Sequence, residues 1–307
     1  MVELRSGRRV ENEEIPSASG ARVDTSRGRT LEWLEAPAPF PPRIQEFRNP
    51  AKLAVGSTTS HGIRNVRGAS DGARPIIAHW IGALIYEYRL FTKEEETQNL
   101  VTRRQALVVV FINQAIQMGG ATLMSMSGGL VPAGTTAQSP SLVWTVGQMA
   151  VAMLIVDCWA YFWHRWTHEN MFLYKHIHSM HLRLIAPYSY GALYTHPVDA
   201  FVGEMVGAVM ATHVSGMSPR MAVVFFSLLS LKSLDDHCVM WFPNHLIHQW
   251  MTNNTSFHIL HHQHVGIKYN YSIFYFATWD RLLGTYLPFS IEPRKDGGYQ
   301  LRTAKDE

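Results

Sequence analysis

The sequence predicts an all-α fold, an integral membrane bundle of helices, on three observations. Apolar stretches of helical length follow one another after residue 75 and are lacking before it. Basic residues gather at one set of their ends. Histidines, sixteen in 307 residues, recur at helical spacing at those same ends.

Residues 1–75 are rich in Arg, Ser, Gly, Ala and Pro without a sustained apolar period, which predicts a polar, disordered arm. It has no apolar run of the kind a secretory signal needs. Glu3, Glu11, Glu13, Glu14 and Asp24 make it too acidic for an organellar transit peptide. Residues 76–307 are expected to form the membrane-embedded domain, and 47% apolar content is ample for its core. A net charge of +3, with no long basic run, argues against nucleic acid as a partner. Cys158 and Cys238 lack CxxC spacing and are expected to be reduced thiols.

The first apolar stretch, "PIIAHWIGALIY" (75–86), is short for a bilayer and predicts an interfacial or partly inserted helix. The second, Ala106 to Met126, has the length of a span, although Asn113, Gln114 and Gln117 weaken it. The third, 142–163, is the strongest candidate, with an aromatic cluster where a membrane belt would sit. The fourth is a pair, 200–214 and 221–234, joined by "SGMSPR", whose Gly and Pro predict a tight helical hairpin. Lys93, Arg103 and Arg104 precede the second stretch, whereas the loop from Gly128 to Ser141 has no Lys or Arg. That loop is therefore expected outside the cytosol, and the third stretch returns the chain to it with Arg165, Lys175 and Arg183. All the histidine groups then face the cytosol.

"HRWTH" holds His164 and His168 at i, i+4, on one face of a helix. "HSMH" holds His178 and His181 at i, i+3, and "HILHH" holds His258, His261 and His262. Seven imidazoles in three groups have the capacity for two metal ions. Imidazole suits zinc, copper, iron and nickel alike. A structural zinc needs only four ligands, so seven nitrogens beside a membrane fit a pair of redox-active irons better. The expected fold is thus a helical membrane bundle with a cytosolic, histidine-rich di-metal cap. Asp157, an acid inside an apolar span, is expected to be functional, as an acceptor that orients a histidine from another helix.

These boxes, with "YFWHRWTHENMFLYKHIHSMH", "PYSYGALYTHPVD", "SGMSPR", "LDDHC", "NNTSFHILHHQ", "KYNYS" and "WDRLLGTY", resemble the membrane fatty acid hydroxylase and sterol desaturase superfamily. Within it they look most like the plant sphingoid-base C4-hydroxylases. The resemblance implies metal ligation by His164, His168, His178, His181, His258, His261 and His262, and further by His196 in "THPVD" and His237 in "DDHC". Asp235 and Asp236 are then expected to support His237 as Asp157 supports another ring. His176 is expected to be a supporting residue or to have no role. No metal role is expected for His61, His79, His213, His245, His248 or His264.

The same resemblance implies two non-haem Fe ions, with O2 as co-substrate, hydroxylating C4 of sphinganine or of the sphinganine part of ceramide to give 4-hydroxysphinganine. It further implies an endoplasmic reticulum membrane location and cytochrome b5 as electron donor, in keeping with the lack of a GxGxxG fingerprint in the chain. The alternatives are a sterol methyl oxidase or desaturase, or a non-catalytic metal-binding relative. The last is motivated by Leu182, which stands where the family pattern HxxHH has its final histidine and predicts one missing ligand. The polar N-terminal arm is a second departure, since family members usually begin with an apolar segment.

Overall fold

In a computed structural model of the chain, the described residues are 46–47, 73–90, 98–126, 141–295 and 298–303. The expectation of a disordered arm over 1–75 falls almost wholly outside them. Its exceptions are β1 (Glu46–Phe47), which pairs antiparallel with a C-terminal strand, and the first residues of helix α1 (Ala73–Leu90).

The described chain is mostly helical. After α1 come α2 (Arg103–Met126), α3 (Leu142–Glu169) and α4 (Met171–His176), then two 3-10 turns, His178–Arg183 and Ser189–Leu193. Helix α5 runs through Pro197–Asp199, a π-helical stretch Ala200–Val206, and Gly207–Ser215. It turns at Gly216, whose φ of 64° is costly for any residue with a Cβ, into α6 (Pro219–Asp236). The tight turn expected from "SGMSPR" is present, but α5 packs mainly on α3 and α6 mainly on α1. Short helices α7 (Leu246–Trp250), α8 (Thr255–His262) and α9 (Thr278–Leu282) follow. The all-α expectation needs one amendment: β2 (Phe289–Pro293) and β3 (Tyr299–Thr303) join β1 in a small antiparallel sheet, order β1-β3-β2.

Helix α3 sets the architecture. Ser141 caps its first turn by accepting the Trp144 N–H, and Asn170 ends it. Its buried residues include Ala152, Val156, Ala160 and His164, each four apart, so a single stripe of small side chains leads inward to a histidine. On its outer side Leu142, Val143 (83% exposed), Trp144, Val146 and Leu154 are bare. Among the described residues this is the one helix long and apolar enough to cross a membrane, and a bare apolar face of that size needs a cover. The stretches at 75–86 and 106–126 form helices that fall short of that test.

Two apolar cores flank the site. Ala83, Val110, Tyr188, Tyr194 and Leu234 join α1, α2 and α6, while Ala152, Val156, Ala211 and Phe225 join α3, α5 and α6. In the second core Trp159 and Trp163 of α3 lie against Gly207 and Gly203, so close that a Cβ at Gly203 would stand 2.8 Å from the Trp163 ring. Their indole N–H groups donate to the Val202 carbonyl and to Asp199. The π-helical stretch is thereby fixed against α3, with Asp199 turned inward at its start.

Candidate metal centre

Each histidine box is placed by a different local device. His164 and His168 ride the last turns of α3. Asn170 then reverses its role from stop to start: its N–H ends α3 on the Trp166 carbonyl, and its side chain caps α4 by accepting the Phe172 and Leu173 N–H groups. The short α4 delivers the chain to the 3-10 turn carrying His178 and His181. Asn254 caps α8, and every residue of that helix is buried. Gly266 allows the chain leaving α8 to pass against the Leu260 carbonyl, where a Cβ would clash with backbone.

The rings assemble into two groups of four whose ligating atoms lie within 4.8 Å of one another. The first cluster is His164, His168, His178 and His261; the second is His181, His237, His258 and His262. The two i, i+4 pairs, His164 with His168 and His258 with His262, each stay within one cluster. The i, i+3 pairs are divided, so His178 and His181, with ring centroids 5.7 Å apart, tie the clusters side by side.

Hydrogen bonding fixes which nitrogen carries the proton in six of the eight rings. His164 Nδ1 meets the Tyr271 carbonyl at 2.7 Å, His261 Nδ1 the Tyr269 carbonyl at 2.7 Å, and His178 Nδ1 the Asp199 carboxylate at 2.8 Å. In the second cluster His181, His237 and His262 place Nδ1 on the carbonyls of Tyr194, Ser233 and Leu184 at 2.7–3.0 Å. A carbonyl or carboxylate only accepts, so Nδ1 is the donor and Nε2 is left with a lone pair.

Those lone pairs face one another. Nε2 to Nε2 distances are 3.1 Å for His164 and His178 and 3.2 Å for His164 and His168. They are 3.4 Å for His181 and His237, 3.0 Å for His237 and His258, and 3.1 Å for His258 and His262. Where both rings of a pair hold their proton on Nδ1, as in His164 with His178 and His181 with His237, no hydrogen joins the two nitrogens, and converging lone pairs repel. Two nitrogens bound to one ion at 2.0–2.1 Å with ordinary angles lie roughly 2.9–3.4 Å apart, which is the spacing seen. The donor set therefore fits two cations. Burial, reinforced by neighbouring rings, lowers the His181 pKa to about 4; burial also lowers that of His261 to about 3 and those of His237, His258 and His262 well below the ordinary value. These rings are neutral at pH 7, as ligands must be.

Of the nine histidines expected to ligate, eight lie in the clusters and His196 does not. It caps α5 instead, its Nδ1 accepting the Val198 N–H at 3.2 Å ahead of Pro197, which has no N–H to give. His176 turns back to the Phe172 carbonyl, outside both clusters. The three acids expected to support the rings are also engaged elsewhere. Asp157 accepts the Tyr275 and Phe276 N–H groups at 2.8 and 2.7 Å, because the chain packed on its stripe presents unpaired amides. Asp235 accepts from Tyr86 and from His248, not from His237. Asp236 pairs with Lys232 at 2.6 Å.

His248, His245 and Asp235 form a third group with the side chains of a metal site. His248 accepts the Phe242 N–H on Nδ1, so its Nε2 is the protonated atom donating to Asp235, and it has no lone pair left for an ion. The support the sequence reading missed is Asp199, which holds His178 and is itself held by Trp163 at 2.6 Å. Its signal was its place in "THPVD". The deficit expected from Leu182 does not appear as an imbalance, since each cluster has four histidines without that position.

The fold and paired clusters define a helical protein with two adjacent groups of four histidines that could hold metal, and the sequence pattern of the fatty acid hydroxylase family matches residues 149–285, which contain all eight rings. The chain belongs to the fatty acid hydroxylase family. It is 44% identical to sphinganine C4-monooxygenase 1 of Arabidopsis thaliana over 240 residues, 76% of this chain and 92% of that protein. It is 41% identical to a very-long-chain aldehyde decarbonylase of Oryza sativa over 76% of this chain and 93% of the other. The sphingolipid C4-hydroxylase sur2 of Schizosaccharomyces pombe is 42% identical over 52% of this chain and 54% of its own length. Sterol desaturases are more distant. No solved structure matches the chain.

Proposed function

We propose that the protein is a membrane-embedded monooxygenase that hydroxylates C4 of sphinganine, free or within ceramide, to give 4-hydroxysphinganine. The observation that carries this reading is the convergence of eight imidazole nitrogens on two adjacent points, in a chain whose relatives include sphinganine C4-monooxygenases. His164, His168, His178 and His261 would hold one iron and His181, His237, His258 and His262 the other. Two irons with O2 supply the oxidising power that an unactivated C–H bond requires and that no side-chain acid or base offers. One oxygen atom enters the C–H bond, and the other leaves as water after two electrons and two protons are supplied from outside.

The chain's own residues do the positioning. Carbonyl and carboxylate acceptors hold the Nδ1 protons of six of the eight rings and so keep their Nε2 directed to the ions. The buried surround limits water near the reacting carbon. The bare faces of α1, α2, α3 and α6 support a multi-pass bundle in the endoplasmic reticulum membrane, with a long acyl tail lying among apolar side chains. The charge pattern supports a cytosolic face for the clusters, where cytochrome b5 would deliver the electrons.

The rice relative is named for a different activity, so very-long-chain aldehyde decarbonylation is the second reading. One experiment separates them. The chain is expressed in cells lacking C4-hydroxylase, and trihydroxy bases are measured beside the fate of a supplied very-long-chain aldehyde. Accumulation of 4-hydroxysphinganine is expected. Loss of the aldehyde without trihydroxy base would overturn the first reading in favour of the second.

A further inference from the structure

Asp280, on α9, is fully buried and touches no histidine. Its Oδ1 accepts the Tyr271 N–H at 2.9 Å and the Thr285 hydroxyl at 2.6 Å, and its Oδ2 accepts the Ser272 N–H at 2.8 Å. The Ser272 N–H and the Tyr271 carbonyl are the two ends of one planar peptide group. That carbonyl is the acceptor for His164 Nδ1. A carboxylate thus sits at one end of a peptide group and a cluster histidine at the other.

Two peptide groups back, between Tyr269 and Asn270, the arrangement repeats without a charge. The Asn270 N–H donates to the Thr285 carbonyl at 2.8 Å, and the Tyr269 carbonyl at the other end of that group holds His261 Nδ1. Asn270 adopts φ 57°, and its side chain accepts the Leu287 N–H, so residues 269–272 are clipped to 280–287 along their length. Two of the four rings of the first cluster rest on this segment.

Two buried amides and a hydroxyl need acceptors, but neutral ones would serve. A full negative charge in a buried position is costly unless something gains from it, and among the described residues no Lys or Arg pairs with Asp280. What gains is the relay: negative charge at the N–H end polarises the peptide, makes the Tyr271 oxygen a stronger acceptor and makes His164 Nε2 more basic. We infer that Asp280 is a positioning residue of the first metal site, acting on His164 through the peptide group between Tyr271 and Ser272. His178 receives from Asp199 directly what His164 receives from Asp280 at one remove.

The inference rests on the clusters binding metal, and its test separates the two claims. The purified full-length chain and its Asp280→Asn variant are loaded with Co2+, and ions per folded chain are counted during competition with a chelator. Wild type is expected to hold two ions. The variant is expected to hold one at wild-type strength and the other about 10–100-fold more weakly. A wild type that takes up no ion would remove the metal centre and the relay together. Two ions in the variant at wild-type affinity would overturn the relay alone.

Should the variant fail to fold, the wild type still decides. Amide exchange at Tyr271 and Ser272 is expected to slow on loading by more than exchange at the remote, buried Leu301 of β3. Equal slowing at all three would overturn the inference.

Discussion

The two clusters each contain four imidazoles but stand on different supports. In the first, a carboxylate holds His178 directly and a second carboxylate backs His164 through a peptide group. In the second, His181, His237 and His262 rest on the neutral carbonyls of Tyr194, Ser233 and Leu184. The Nδ1 of His258 has no hydrogen-bond partner among the described residues. The Lys232 ammonium, itself paired with Asp236, bears on His237. Equal ligand sets can thus give unequal ions: an imidazole backed by a carboxylate is the stronger donor, so the first site is expected to hold its metal more tightly.

The largest effect comes from removing a ring that belongs to one cluster only. His258→Ala is expected to leave the first ion bound, abolish the second, and end formation of 4-hydroxysphinganine; His168→Ala is expected to do the reverse to the ions with the same loss of product. Metal counting on the purified variants checks the pairing. Loss of both ions from either variant would show a single shared site, and the comparison between clusters would collapse.

Asp199→Asn sharpens the comparison rather than breaking it. The amide keeps the shape and can still accept from one donor, but His178 loses its charged partner and Trp163 competes for the remaining oxygen. Affinity of the first ion is expected to fall about 10–100-fold, with the second unchanged. An equal fall at both sites would mean that Asp199 supports the fold in general and not His178.

The contrast between clusters was half legible in the sequence. Spacing carried the ligands, because residues three or four apart in a helix must lie near one another whatever the rest of the chain does. Even so, spacing did not say that His178 and His181 would part to different ions, since that depends on what faces the turn from across the fold. The supports were less legible still. An acid's partner is decided by which backbone packs on it, and for Asp157 that is Tyr275, 118 residues away. Sequence adjacency made Asp235 and Asp236 look like supports of His237, yet at the end of α6 the three side chains leave in different directions. His237 bonds back to its own helix at Ser233. Carbonyl supports have no side-chain signature at all: at Leu184, Tyr194 and Tyr269 the working atom belongs to the backbone. The small sheet was missed for a related reason, since "FSIEP" ends in proline, β2 and β3 are only five residues long, and β1 is only two.

Leu182 is the finest probe of the comparison and carries the smallest expected effect. In a 3-10 turn three residues complete a revolution, so His178 and His181 share a face and position 182 points about 120° away from it. Leu182 is half-buried there, next to the ring that joins the second cluster. An imidazole at 182 would leave in the same direction, away from both lone-pair centres. Leu182→His is therefore expected to keep two ions per chain and to change product formation by less than about 2-fold, in line with a substitution that touches no buried partner. A large gain in product would mean that the second cluster lacks a ligand that its four rings do not replace, and its weaker hold on metal would then reflect a missing donor instead of neutral supports.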